Sequence, residues 1–151
     1  MNNMIVAACF VMLALLTASS CKKNDQPNFG GTADIMAEID GISFSATLSN
    51  VALLDSTLNM GNMAQDKAQL QFHRVYKTGS FTLNKNQGLI EQINLITADG
   101  KNLSIIDGSY TIDELTKNKA KGTFQGTAYE ITDFNMRTPY QITKGTFDAR
   151  F

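Results

Sequence analysis

The stretch Thr32-Ala33-Asp34-Ile35-Met36-Ala37-Glu38-Ile39-Asp40-Gly41-Ile42-Ser43-Phe44-Ser45-Ala46-Thr47-Leu48-Ser49 carries the clearest fold signal in the chain. Ala33, Ile35, Ala37 and Ile39 recur at every second position, and so do Ile42, Phe44, Ala46 and Leu48. Successive side chains on a strand point to opposite faces, so a period of two is a strand period. Asp40-Gly41 between the runs signals a type I′ turn, whose two central residues need positive φ. A two-residue turn pairs Ile39 with Ile42, Ala37 with Phe44, Ile35 with Ala46 and Ala33 with Leu48. All four pairs are apolar. Turn chemistry and hydrophobic pattern therefore demand one register, and a slip of one residue would turn every apolar side chain outward. Burying Phe44 or Ile39 is worth roughly 1.5–3 kcal/mol each.

The opposite face of the first run holds Asp34, Glu38 and Asp40. Such carboxylates can ligate calcium or work as an acid/base pair. Neighbours two apart on a strand lie roughly 6.5–7 Å apart. No partner His or calcium-binding loop accompanies them, so they read as a solvated face.

Strand grammar continues downstream. Val51 to Met63 has no clean period and reads as one or two short strands, with a loop near Asn62 to Asp66. Ala68, Leu70 and Phe72 alternate with Gln69, Gln71 and His73. His73 falls on the polar side as the chain's only histidine, which makes it a surface residue rather than a ligand or base. Thr78 to Asn84 is a strand with Phe81 and Leu83 inward, followed by a turn to Gly88. Ile93 and Leu95 precede Ala98-Asp99-Gly100, and Leu103 and Ile105 follow. A two-residue turn would mix the faces. A three-residue loop with Gly100 left-handed pairs Leu95 with Leu103 and Ile93 with Ile105.

A short motif recurs as Gly79-Ser80-Phe81, Gly108-Ser109-Tyr110, Gly122-Thr123-Phe124 and Gly145-Thr146-Phe147. Its spacings are unequal, so it is no solenoid repeat. Glycine permits a bulge or close backbone approach, the hydroxyl residue faces out, and the aromatic enters the core. Inward faces continue through Ile112, Ala128, Tyr140, Ile142, Ala149 and Phe151. Lys117-Asn118-Lys119 reads as a solvated turn. The whole pattern predicts an all-β domain over residues 32–151, an antiparallel sandwich or flattened barrel of about eight to ten strands.

The N-terminus needs different physics. Ile5 to Leu16 is an unbroken apolar run, too short for an ordinary transmembrane helix and suited to a signal-peptide core. Ala18-Ser19-Ser20 then satisfies the small-residue rule for cleavage before Cys21. The same residues resemble the lipobox of bacterial lipoproteins. Ala18 stands where that pattern usually has Leu, as in the looser lipoboxes of Bacteroidetes lipoproteins, whose mature starts Cys21-Lys22-Lys23-Asn24-Asp25 resembles. Residues 1–20 are thus expected to be a removed lipoprotein signal peptide, and Cys21 the lipidation site. The alternative is plain secretion with a free thiol. Residues 21–31 hold Pro27, end in Gly30-Gly31 and lack periodicity, which suits a lipidated tether.

The motifs also carry a wider resemblance. Ala37 to Ala46, Thr78 to Phe81, Gly108 to Ile112, Ala120 to Phe124 and Ile142 to Asp148 follow one another as in a family of small Bacteroidetes lipoproteins of unknown function. That family opens on an "A-x-IDG-x-x-F-x-A" hairpin and closes on "GTF" and "IT-x-G-x-F" strands. The resemblance implies export, a lipid anchor and an all-β fold, with no catalytic residues.

Composition narrows the function. The formal net charge is −1, which leaves no electrostatic footprint for nucleic acid. The only cysteines are Cys9 and Cys21, so the chain after the leader keeps one and forms no internal disulfide. The sequence has no Ser/His/Asp set, no HExxH, no Cys/His metal spacing and no phosphate loop. No cofactor, metal or enzymatic activity is expected. The leading expectation is a non-catalytic binding or accessory module at the outer membrane, with a protein or glycan partner. The alternative is a lipocalin-like carrier whose inward aromatics, Phe44, Phe72, Phe81, Tyr110, Phe124 and Phe147, line a cavity for a small apolar ligand. A carboxylate hydrolase built from Asp34, Glu38, Asp107, Asp113, Glu114 and Asp133 would need two of them facing one cleft.

Overall fold

A computed structural model describes residues 30–61, 68–87, 92–133 and 138–151. Cys21, the leader, most of the tether and the loop near Asn62 to Asp66 lie outside the described residues. Ten strands follow in order: β1 (Thr32–Ile39), β2 (Ile42–Ser49), β3 (Ala52–Leu54), β4 (Thr57–Met60), β5 (Gln69–Phe72), β6 (Gly79–Leu83), β7 (Ile93–Ile96), β8 (Asn102–Thr116), β9 (Lys119–Glu130) and β10 (Tyr140–Arg150). The described residues include a single 3-10 turn, Lys85–Gln87, and no α-helix. The fold is all-β, as the alternation demands.

Every pairing is antiparallel, and one sheet runs β2-β1-β10-β9-β8-β7-β5-β4-β3. The 15-residue β8 is its spine. β7 pairs with Asn102 to Ile105 of β8 and β6 pairs with Gly108 to Ile112, so two short strands share one side of a long one. β9 covers the other side.

The sheet curls into a half-barrel. Phe72 on β5 shows why this is forced. Along the sheet, β10 is four strand spacings from β5, roughly 19 Å if the sheet were flat. The rings of Phe72 and Phe147 are 4.7 Å apart. Only a strongly curled sheet brings its own inner face together in this way. The buried core then collects Ile35, Leu48, Leu58, Leu70, Phe72, Leu95, Ile105 and Phe147 from both halves.

The opening hairpin has the register that its sequence requires, with Ile39 opposite Ile42 and Ala33 opposite Leu48. Asp40 and Gly41 both have positive φ, 50° and 79°. Burial departs from the expectation. β2 is the edge of the sheet, and Ile42 is 74% exposed, while Phe44 and Ile39 are only partly buried. Leu48 at the far end of β2 is buried, with its side chain 3.4 Å from the Cβ position of Gly61 just after β4, and burial falls off along β2 toward Ile42. Asn50 and Val51 join the two edge strands directly, with Asn50 at φ 58° and Val51 fully buried. One corner of the half-barrel is therefore closed by the chain itself.

The β7–β8 loop also follows its sequence. Leu95 faces Leu103, Ile93 faces Ile105, and Gly100 has φ 87°. Lys117-Asn118-Lys119 is corrected in part. Lys117 and Asn118 form the turn, but Lys119 opens β9 and its ammonium lies 2.7 Å from Glu114 and 3.9 Å from Asp148.

Candidate functional site

The outer face of the sheet is rich in hydroxyls, because each glycine-hydroxyl-aromatic motif sends its Ser or Thr outward. Register aligns three of them with Thr111, while the fourth, Ser109, stands opposite Thr82 and Gln125. Ser80, Thr111, Thr123, Thr146, Met36 and Ser45 stand opposite one another on β6, β8, β9, β10, β1 and β2. Ser80 and Thr111 share a hydrogen bond of 3.2 Å. Beside this row lies a shallow depression of about 320 Å³, lined on the outer side by Ser109, Thr111, Thr123, Gln125, Lys144 and Thr146. It offers hydroxyls, an amide and one ammonium. Those groups can donate and accept hydrogen bonds.

The next row is charged: Glu114, Lys121, Asp148 and Asp34, ending on Thr47. Opposite signs alternate along most of it, and several of the carboxylates singled out from the sequence accept hydrogen bonds. Asp34 accepts from the Thr47 hydroxyl at 2.7 Å. Glu38 accepts from the Lys144 ammonium at 2.7 Å, and this bond holds the Glu38 carboxyl below its ordinary pKa. Asp40 accepts from the Gln141 backbone N–H at 2.7 Å and fastens the hairpin tip to β10. Asp133 accepts from the Thr138 backbone N–H at 3.0 Å. Among the described residues, no group of three or more His, Cys, Asp or Glu is placed to hold a metal ion.

A second concavity of about 290 Å³ lies between the β1–β2 hairpin and the β7–β8 loop. Ile39, Ile42 and Phe44 form one wall, and Thr97, Asp99 and Lys101 of the β7–β8 loop form the other. Thr97 is buried and donates its hydroxyl to Asp99. That hydrogen bond is the main cause of a lowered Asp99 pKa. Lys101 reaches over the Tyr140 ring, 5.4 Å from its centroid.

The aromatics proposed to line a cavity mostly touch one another. Phe72 contacts Tyr110, Phe124 and Phe147 at centroid distances of 5.5, 5.7 and 4.7 Å. Phe81 stacks on Tyr110 at 4.8 Å. The Tyr110 hydroxyl donates to the His73 carbonyl at 3.2 Å, so the contribution of His73 here is made by its backbone. Burial raises the Tyr110 pKa.

Local sequence reasoning identified the outward hydroxyls strand by strand but not their alignment. The alignment of Ser80, Thr111, Thr123 and Thr146 depends on β6 pairing with β8 past β7 and on register shifts in the β8–β9 and β9–β10 ladders, which no local pattern encodes. Comparison with protein-family models, curated proteins and solved structures finds no match to this chain.

Proposed function

We propose that this chain is an exported lipoprotein, anchored to the outer membrane of the cell envelope through acyl chains on Cys21. In this reading residues 32–151 are a non-catalytic binding or accessory module. Its hydroxyl-rich outer face meets a protein or glycan partner. The observation that carries the binding reading is the aligned row Ser80-Thr111-Thr123-Thr146, a broad polar surface beside a depression that Lys144 and Gln125 also line. The anchoring reading rests on the apolar run from Ile5 to Leu16 and on Ala18-Ser19-Ser20-Cys21. Several acyl chains, at about 0.8 kcal/mol per buried methylene, would make attachment effectively permanent.

Ring-to-ring packing around Phe72 favours this reading over the lipocalin-like carrier, because the aromatics occupy the space that a ligand would need. Engagement of Asp34 by Thr47, of Glu38 by Lys144 and Thr143, and of Asp40 by the Gln141 backbone likewise favours it over a hydrolase.

Two experiments test the proposal. Palmitate labelling in a bacterial host is expected to mark the wild type and not Cys21→Ala; equal labelling of both would overturn the anchor. A glycan array and co-purification from native membranes, each run with wild type and Thr123→Lys, test the face. Loss of captured partner in the variant supports it. Partner binding that ignores Thr123→Lys removes it.

A further inference from the structure

Among the described residues, three strands have a side that no other strand pairs with: β2, β3 and β6. β3 has three residues and β6 has five. β2 has eight, an unbroken ladder with β1 on its other side, no charged residue and no proline. Folded proteins usually blunt such an edge with Lys, Pro, a bulge or brevity. Ile42–Ser49 uses none of these, and Ile42 is 74% exposed at its open end.

The hairpin register fixes which backbone groups are free. Residues directly opposite in an antiparallel pair alternate between hydrogen-bonded and non-bonded. The two-residue turn makes Ile39–Ile42 a bonded pair, so Ile42, Phe44 and Ala46 turn their N–H and C=O groups toward β1. Ser43 and Ser45 turn theirs outward, beside the groove walled by Ile42, Phe44 and Asp99.

We infer that two copies of this chain pair edge to edge through an antiparallel β2–β2 ladder centred on Phe44. In that register Phe44 faces the second copy's Phe44, Ile42 faces its Ala46, and Ser43 faces its Ser45. Every inner-face pair is apolar and every outer-face pair is hydroxylic, so one two-fold axis satisfies both faces at once. Because Ile42–Ser49 carries no charge, self-pairing sets no like charges opposite one another. About five residues a side is well below the 20–30 of a standard interface. The dimer is therefore weak. This inference stands apart from the Cys21 anchor and from the Thr123 face, and it uses neither.

Cysteine cross-linking reads the register directly. Ser43→Cys and Ser45→Cys replace exposed hydroxyls and leave the core untouched. Paired residues in a bonded antiparallel site have Cα atoms about 5.5 Å apart, within disulfide range. Full-length Ser43→Cys and Ser45→Cys proteins, mixed and mildly oxidised, are expected to give roughly tenfold more covalent dimer than either alone. Ser45→Pro removes one outward N–H, a substitution that edge strands tolerate, and is expected to leave the folded protein monomeric in sedimentation. A mixture that cross-links no better than its components overturns the proposal. So does a wild type that stays monomeric at millimolar concentration while binding an extended partner peptide.

Discussion

Phe147 on β10 lies over Gly122 on β9, and a Cβ added to Gly122 would come within 2.9 Å of the Phe147 ring and 1.9 Å of the Thr111 carbonyl oxygen. The relationship is reciprocated two register steps away, where Phe124 covers Gly145 and a Cβ there would lie 2.7 Å from the ring. Each aromatic thus shields the bare backbone of the neighbouring strand and fills the space that a side chain would take. Gly122→Ala is expected to destabilise by about 2–3 kcal/mol through overpacking. The measurement is the shift of the urea midpoint, and an unchanged midpoint would show that the backbone of β8 at Thr111 gives way as freely as the ring.

Among the described residues Phe72 is the only ring in contact with three others, and it joins β5 to β8, β9 and β10. Phe72→Ala is expected to cost about 3–5 kcal/mol, a large part of the stability of a domain this size. Phe72→Leu should cost distinctly less, because it refills part of the cavity. Thermal unfolding of the two variants ranks them.

At Gly41 the cost of a side chain is conformational alone. Its φ is 79° and nothing lies within 4 Å of an added Cβ. Gly41→Val should therefore lose at least about 1 kcal/mol, since a β-branched residue is a poor fit to positive φ, whereas Gly41→Asn should lose little. Equal losses in chemical denaturation would contradict a type I′ turn.

The Lys144 hydrogen bond lowers the Glu38 pKa below its ordinary value of 4.5 in the folded state. A depressed folded pKa means that ionised Glu38 contributes stability above about pH 4.5, which is lost as pH falls through the folded pKa. Both side chains meet water, so the contribution is small and weakens with salt. NMR titration of the Glu38 carboxyl should move toward its ordinary range in Lys144→Met.

How much of this could be read beforehand follows from chemistry that is local. Asp40-Gly41 and Gly100 impose positive φ at fixed places, so both hairpins and their registers were legible. Asp55 and Ser56 make an equally tight turn, with φ of 47° and 67°, but Asp-Ser is a weak signal, and β3–β4 stayed ambiguous. The partners of Glu38 and Asp40 come from β10, about a hundred residues away, and alternation says nothing about them. Exposure of Ile42 was hidden for a related reason. Its apolar character marks the inner face, while the residues that face it, Thr97, Asp99 and Lys101, lie more than fifty residues along the chain.

The pairing of β1 with β10 sets Thr32 opposite Arg150, with Gly31 against the Arg150 carbonyl. A load applied between those two ends would not shear the ladder as a whole. It would peel β1 from β10 one hydrogen-bonded pair at a time, the mechanically compliant direction for antiparallel strands. The same adjacency lets a short linker join the two ends, so that the chain can be reopened at Lys117-Asn118 without cutting the sheet.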